Sequence, residues 1–157
     1  MTSLEYIYKL FDVSSAQLGV DYVKTTPTKL QSWATKHNPP FIALLSLSES
    51  IELNDVNNNI INYDCAFVFC ASSSKDPTNE ERINTEVEVD QLVKRFLWFV
   101  KRNQKVTVSN ISAEETFRGS SFNGLGRGLS FNLSMADMVD YCSDWCNTST
   151  ENLDCNE

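Results

Sequence analysis

At 157 residues the chain is long enough for one domain that buries roughly two-thirds of its unfolded surface, and too short for two comfortable ones. Hydrophobic residues at 41% and aromatics at 11% exclude a disordered chain except at its ends. Thirteen basic against twenty-one acidic residues leave a net charge of −8, which argues against a function built on broad capture of phosphate backbones.

Leu4, Ile7, Leu10 and Phe11 recur at helical spacing and predict an amphipathic helix from residue 3 to about 18, ending near Gly19. A second, short helix is expected from Pro27 to His37, with Thr26 as cap, Pro27 at the first helical position, and Asn38-Pro39-Pro40 as terminator. From Phe41 the period becomes two: Phe41, Ala43, Leu45, Leu47, Ile51 and Leu53 alternate with Ser46, Ser48, Ser50 and Glu52, as in a strand with one buried face. Asn54 to Asn59 is turn chemistry, and Ile61, Tyr63, Cys65, Phe67 and Phe69 then alternate again, so the two strands should form an antiparallel hairpin.

Ser72 to Asn79 is a polar connection, followed by Glu80 and Glu81 where acids favour a helix start. Ile83, Val87, Leu92, Val93, Phe96, Leu97, Phe99 and Val100 follow at spacings near three and four, and Lys94, Arg95, Lys101 and Arg102 load the far end with positive charge. This is the long helix of the chain. Lys105 to Ser109 resumes a strand, extended irregularly through Ile111 and Phe117, and Leu129, Phe131, Leu133 and Met135 alternate in the last one. The expected fold is α+β: a mainly antiparallel four-stranded sheet flanked by an N-terminal helix and one long helix, in the order α-β-β-α-β-β. Residues 1–142 form the domain, and residues 143–157 a polar acidic tail. The longest apolar stretches, Phe41 to Leu47 and Cys65 to Ala71, fall far short of the ~20 residues of a membrane span, and the N-terminus lacks the pattern of a secretory signal. A soluble chain made in the cytosol, with its five cysteines reduced, is the expectation.

No motif carries obvious chemistry. Gly124-Leu125-Gly126-Arg127-Gly128 is followed by a strand, whereas a phosphate cradle needs its glycines ahead of a helix N-terminus. Relief of crowding, a bulge or a subunit contact is the better account of these glycines. Cys142 and Cys146 share a helical face, and Cys65, Cys70 or Cys155 would have to complete a zinc site. Cys65 and Cys70 differ by an odd number within one strand and so face opposite sides, which favours small buried thiols over ligands and leaves no metal or cofactor expected. A Cys-His pair has only His37 to draw on, placed before Asn38-Pro39-Pro40 without an orienting partner. Glu80, Glu81, Glu86, Glu88 and Asp90 read as the solvated face of a helix. Phe96-Leu97-Trp98-Phe99 covers more than one helix face, so Trp98 either meets a partner or is sandwiched within the domain.

The element order, closing in Phe122-Asn123-Gly124-Leu125-Gly126-Arg127-Gly128-Leu129-Ser130-Phe131-Asn132-Leu133 ahead of Tyr141-Cys142, resembles the tail terminator and tail completion proteins of tailed bacteriophages, most of all those of phages with Bacteroidetes-type hosts. The resemblance spans most of residues 4 to 142. It implies a tail-terminator-like fold and a virion component without enzymatic activity, assembled in the host cytoplasm as a homo-oligomeric ring, a hexamer or a dodecamer, at the head-proximal end of the tail. Its neighbours would be neck, portal or tail-tube proteins. Genomic DNA would be passing cargo only, and no cofactor or membrane is involved. Another ring of the neck or connector fits the same description. A head-to-tail ring repeats one contact between two different patches and needs no active site, and a net charge of −8 suits a passage that must not retain DNA. The interface candidates are Asn57, Asn58 and Asn59 in the first loop, Lys75 and Asp76 in the second, and Trp98, Arg127 and Trp145. The rival readings are a small monomeric cytosolic enzyme or ligand-binding domain using His37 and a cysteine, and an interaction adaptor in the host cytosol.

Overall fold

A computed structural model describes residues 1–53, 59–118 and 124–138. The chain opens with α1 (Ser3–Leu18), which Thr2 and Glu5 close in a reciprocal capping box and Gly19 ends at φ 67, a left-handed turn that a residue without a β-carbon adopts without strain. Then follow β1 (Asp21–Lys24), α2 (Pro27–Ala34), β2 (Phe41–Glu52), β3 (Ile60–Ser72), α3 (Asn79–Lys101), β4 (Thr107–Arg118) and β5 (Gly124–Ala136). The class is α+β, with one sheet in the order β1-β2-β3-β5-β4.

The sheet has five strands and is mixed, which corrects the expectation of four antiparallel ones. β1 pairs with β2 in parallel, Asp21 against Phe41 through Lys24 against Leu44, while β2–β3, β3–β5 and β4–β5 are antiparallel. Parallel neighbours need a crossover, and the segment carrying α2 supplies it. With four residues, β1 is too short to show a period. Tyr22 joins the core on one side of the sheet and Val23 packs on the other.

The main core lies between the sheet and one layer made of α1 and α3. Ile7, Leu10 and Phe11 of α1 and Val89, Val93, Phe96 and Val100 of α3 pack against Ile61, Tyr63, Cys65, Phe67 and Phe69 of β3 and Leu129, Phe131, Leu133 and Met135 of β5. The alternation of the second hairpin strand and of the last strand thus faces the core as expected. Phe67 is the centre of an aromatic cluster: its ring meets those of Phe11 at 4.9 Å, Phe96 at 5.1 Å and Phe131 at 5.5 Å.

β2 departs from a one-faced strand. Phe41 to Leu44 are buried on both sides because Phe41 and Ala43 meet α2 while Ile42 and Leu44 enter the main core. A register shift between Leu44 and Ser46 then moves the odd positions across the sheet, so that Leu47 joins the main core. Beyond it Ile51 and Leu53 are exposed.

α3 begins in a second capping box, Thr78 with Glu81. Its buried stripe is Thr85, Val89, Val93, Phe96 and Val100. Ile83 and Val87, expected on the apolar side, lie two residues ahead of Thr85 and Val89, which is more than half a turn round a helix, and face outward. β4 is irregular, as expected, and the strand order puts it at the sheet edge: its pairing with β5 shifts twice, and Asn110 sits at φ 51.

Candidate functional site

Two surfaces of the fold are chemically distinctive. The first is the sheet face turned away from α1 and α3. There α2 packs in a small apolar cluster with Phe41, Ala43, Val68 and Cys70, joined by Val23 and Leu45. Below it, successive registers across β2, β3, β5 and β4 bring together Ser46, Ala66, Ser130 and Ser112, then Ser48, Asp64, Asn132 and Ser109, then Ser50, Asn62, Ser134 and Thr107. Directly paired residues share a face, and these are the partners that alternate with the core residues. Asn62 is held between its neighbours: the Ser134 hydroxyl donates to Asn62 Oδ1 at 2.5 Å, and Asn62 Nδ2 donates to Glu52 Oε1 at 3.1 Å. Phe117 and Glu114 of β4 lie over Gly126 and Gly128, where a β-carbon would stand 2.5 Å from the Phe117 ring and 2.6 Å from the Glu114 carboxylate. The glycines therefore relieve crowding within β5. Among the described residues the three strand rows are built from short hydroxyl and amide side chains with Ala66, and the charged groups on or beside them are the carboxylates of Glu52, Asp64 and Glu114; the cations on this side of the sheet, Lys29 and Lys36, belong to α2 and the turn after it.

The second surface is the outer side of α3. Ile83 is 52% exposed, Val87 48% and Trp98 54%. Trp98 settles on the exposed side of its two alternatives, with the Arg102 guanidinium 4.6 Å from its ring centre and the Phe99 ring at 5.1 Å. A shallow groove of about 490 Å³ runs between α3 and β4, with Ile83 and Val87 along one wall and Glu114 and Glu115 on the other. At its base Asp90 Oδ1 accepts from Arg127 Nη1 at 2.9 Å, and Asp90 Oδ2 lies 2.6 Å from Lys94 Nζ. The hydrogen bond from Lys94, and then the charges of Lys94 and Arg127, hold the Asp90 carboxyl below its ordinary value.

The interface residues inferred from sequence are scattered over the described surface. Asn59 takes part in closing the β3–β5 end, its carbonyl accepting from the Asp137 amide at 2.9 Å. Lys75 and Asp76 are exposed in the loop before α3, where Arg118 Nη2 donates to the Ser74 carbonyl at 2.7 Å and also to that of Lys75. Arg127 is tied down within the subunit: besides Asp90, its Nε donates to the Glu114 carbonyl at 2.8 Å. Asn57, Asn58 and Trp145 lie outside the described residues, as do Cys142, Cys146, Cys155 and the acidic tail. The five described ones, Asn59, Lys75, Asp76, Trp98 and Arg127, do not form one cluster. Sequence reasoning set Ile83 and Val87 on the buried side of the long helix, because their spacing fits a helix whichever face is buried.

The groups of the rival reading stand apart in chemistry as well. Cys65 and Cys70 face opposite sides of the sheet, in different apolar clusters, and burial pushes each thiol up to about 12. His37 stacks on Trp33, ring centres 4.0 Å apart, with Nδ1 2.9 Å from the Trp33 carbonyl. Among the described residues no group of three His, Cys, Asp or Glu could hold a metal ion, and no helix is long and apolar enough to cross a membrane. Neither a protein-family model nor a curated protein sequence matches this chain.

Proposed function

We propose that the chain is a structural ring subunit of the head–tail junction of a tailed bacteriophage, a tail terminator, tail completion or neck connector protein, and that its open sheet face lines the passage for DNA. The observation that carries the reading is the composition of that face: serine, threonine and asparagine over four strands, with carboxylates as its charges. Duplex DNA carries one negative charge per ~1.7 Å and binds where cations replace its counterions, so a wall of short neutral and acidic groups lets it slide. Such a subunit needs two different patches for its head-to-tail contact and no bond-making chemistry. The contacts with neck, portal or tail-tube proteins fall to the loops, Asn59, Lys75 and Asp76 among the described residues.

Against the rival of a small enzyme stand the two described thiols, protonated in apolar surroundings, and a histidine whose ring is engaged with Trp33. The test is retention of duplex DNA at low salt by the assembled protein. The reading predicts none for the native chain and clear retention once Ser48 and Ser130 are replaced by lysine. Micromolar binding by the native chain would overturn it.

A further inference from the structure

The outer side of α3 carries a pattern that the helix itself does not require. Ile83 and Val87 are exposed in its first half and Trp98 in its second. The acids Glu80, Glu81, Glu86 and Glu88 belong to the first half, beside one base, Arg82, and the bases Lys94, Arg95, Lys101 and Arg102 to the second half and its cap. A helix dipole favours acids at the start and bases at the end, but that effect fades within one turn. Glu86, Glu88, Lys94 and Arg95 lie beyond it, and a dipole gives no reason for exposed isoleucine, valine and tryptophan.

Ile83 and Trp98 lie equally far on either side of the midpoint between Asp90 and Gln91, and so do Val87 and Lys94. When two copies of this helix pack antiparallel about that midpoint, Ile83 of each meets Trp98 of the other. Val87 meets the aliphatic stem of Lys94, Glu80 faces Lys101, and Glu88 comes within two residues, about 3 Å along the axis, of the level of Arg95. A parallel pairing in register sets acid against acid and base against base.

We infer that α3 is a two-fold docking surface for a second copy of this chain, in which the acidic, aliphatic half of one helix packs antiparallel against the basic, aromatic half of the other. Charge complementarity along 23 residues, about 34 Å of helix, and the mirrored positions of Ile83 and Trp98 carry it. The contact closes at two copies, because each patch is its own partner's complement. It goes beyond the ring reading and does not rest on it: α3 covers the sheet side opposite the polar face, so the contact leaves that face free.

The test is equilibrium sedimentation of the full chain at low salt and high concentration, with circular dichroism as the control for folding. The native chain is expected to associate in twos. Arg95→Glu and Glu88→Arg, both at exposed positions, each weaken that association by about tenfold or more, because like charges then face each other. An equal mixture of the two folded variants associates again, since every facing pair is of opposite sign. Trp98→Ser gives the same weakening without a change of sign at any charge. Association untouched by either charge reversal, or a mixture that stays apart, overturns the inference. A hexameric mass indifferent to both variants overturns it and leaves the ring reading standing. A chain that stops at two copies and dissociates with either variant supports it and counts against the ring.

Discussion

Phe117 of β4 packs its ring over Gly126 of β5, the residue it pairs with in register, so closely that a β-carbon at 126 would stand 2.5 Å from the ring Cζ. Gly126→Ala is therefore expected to push the ring outward from an edge strand, at a loss of about 1–2 kcal/mol in denaturant unfolding. Phe117→Ala alone removes a half-exposed ring. In the double variant the penalty of the added methyl group should largely disappear, because its clash is gone. Equal and additive losses would show that the ring does not set the need for glycine.

Phe67 touches aromatic rings from α1, α3 and β5 and is almost fully buried. Phe67→Ala leaves a cavity at the point where both helices meet the sheet and should cost about 3–5 kcal/mol in the same measurement. A loss below 1 kcal/mol would contradict the packing described.

Asp90 joins α3 to β5 through Arg127, with Lys94 on the same helix adding to its stabilisation. Its folded carboxyl titrates below the ordinary 3.8, so this contribution to stability is full above that value and is lost as pH falls through the lowered one. Asp90→Asn should lower stability at neutral pH and flatten the fall of melting temperature below pH 3.8 relative to the native chain. Parallel acid profiles for the two proteins would contradict the assignment.

Burial raises the Cys65 and Cys70 thiols from 9.0 to about 12, so the unfolded chain loses these protons first. Their share of stability is complete below pH 9 and declines between 9 and 12. At pH 8 an alkylating reagent should leave both thiols unmodified in the folded chain and reach them only on unfolding, as peptide mapping would report. Rapid modification of either one in folded protein would reopen the enzymatic reading.

Much of the fold was legible because local signals agreed with tertiary ones. Gly19 ends α1 where spacing and chain reversal both ask for it, and the odd positions of β3, and of β5 from Leu129 on, face one core. β1 was missed because four residues carry no period and its two central side chains pack on opposite faces. In β2 the shift at Leu45 exchanges the faces midway, so one alternation described two different environments. Ile83 and Val87 sit at helical spacing with each other, and only the tertiary placement of Thr85 and Val89 decides which pair is buried. Of the candidate surfaces, the serine and asparagine positions of the hairpin were visible as one polar side. Their continuation through Ser130, Asn132 and Ser109 depends on the strand order, which spacing does not encode. Arg127 looked like a surface contact because its partners, Asp90 and the Glu114 carbonyl, are distant in sequence.

The central claim is that this chain works by joining copies of itself into a closed ring around a passage. Its most direct test is the mass and shape of the purified full chain, by analytical sedimentation with negative-stain imaging of the same sample, alone and with a neck or tail-tube partner. The account predicts annular particles of hexameric or dodecameric mass. Lone single-copy particles under every condition and beside every such partner would contradict it.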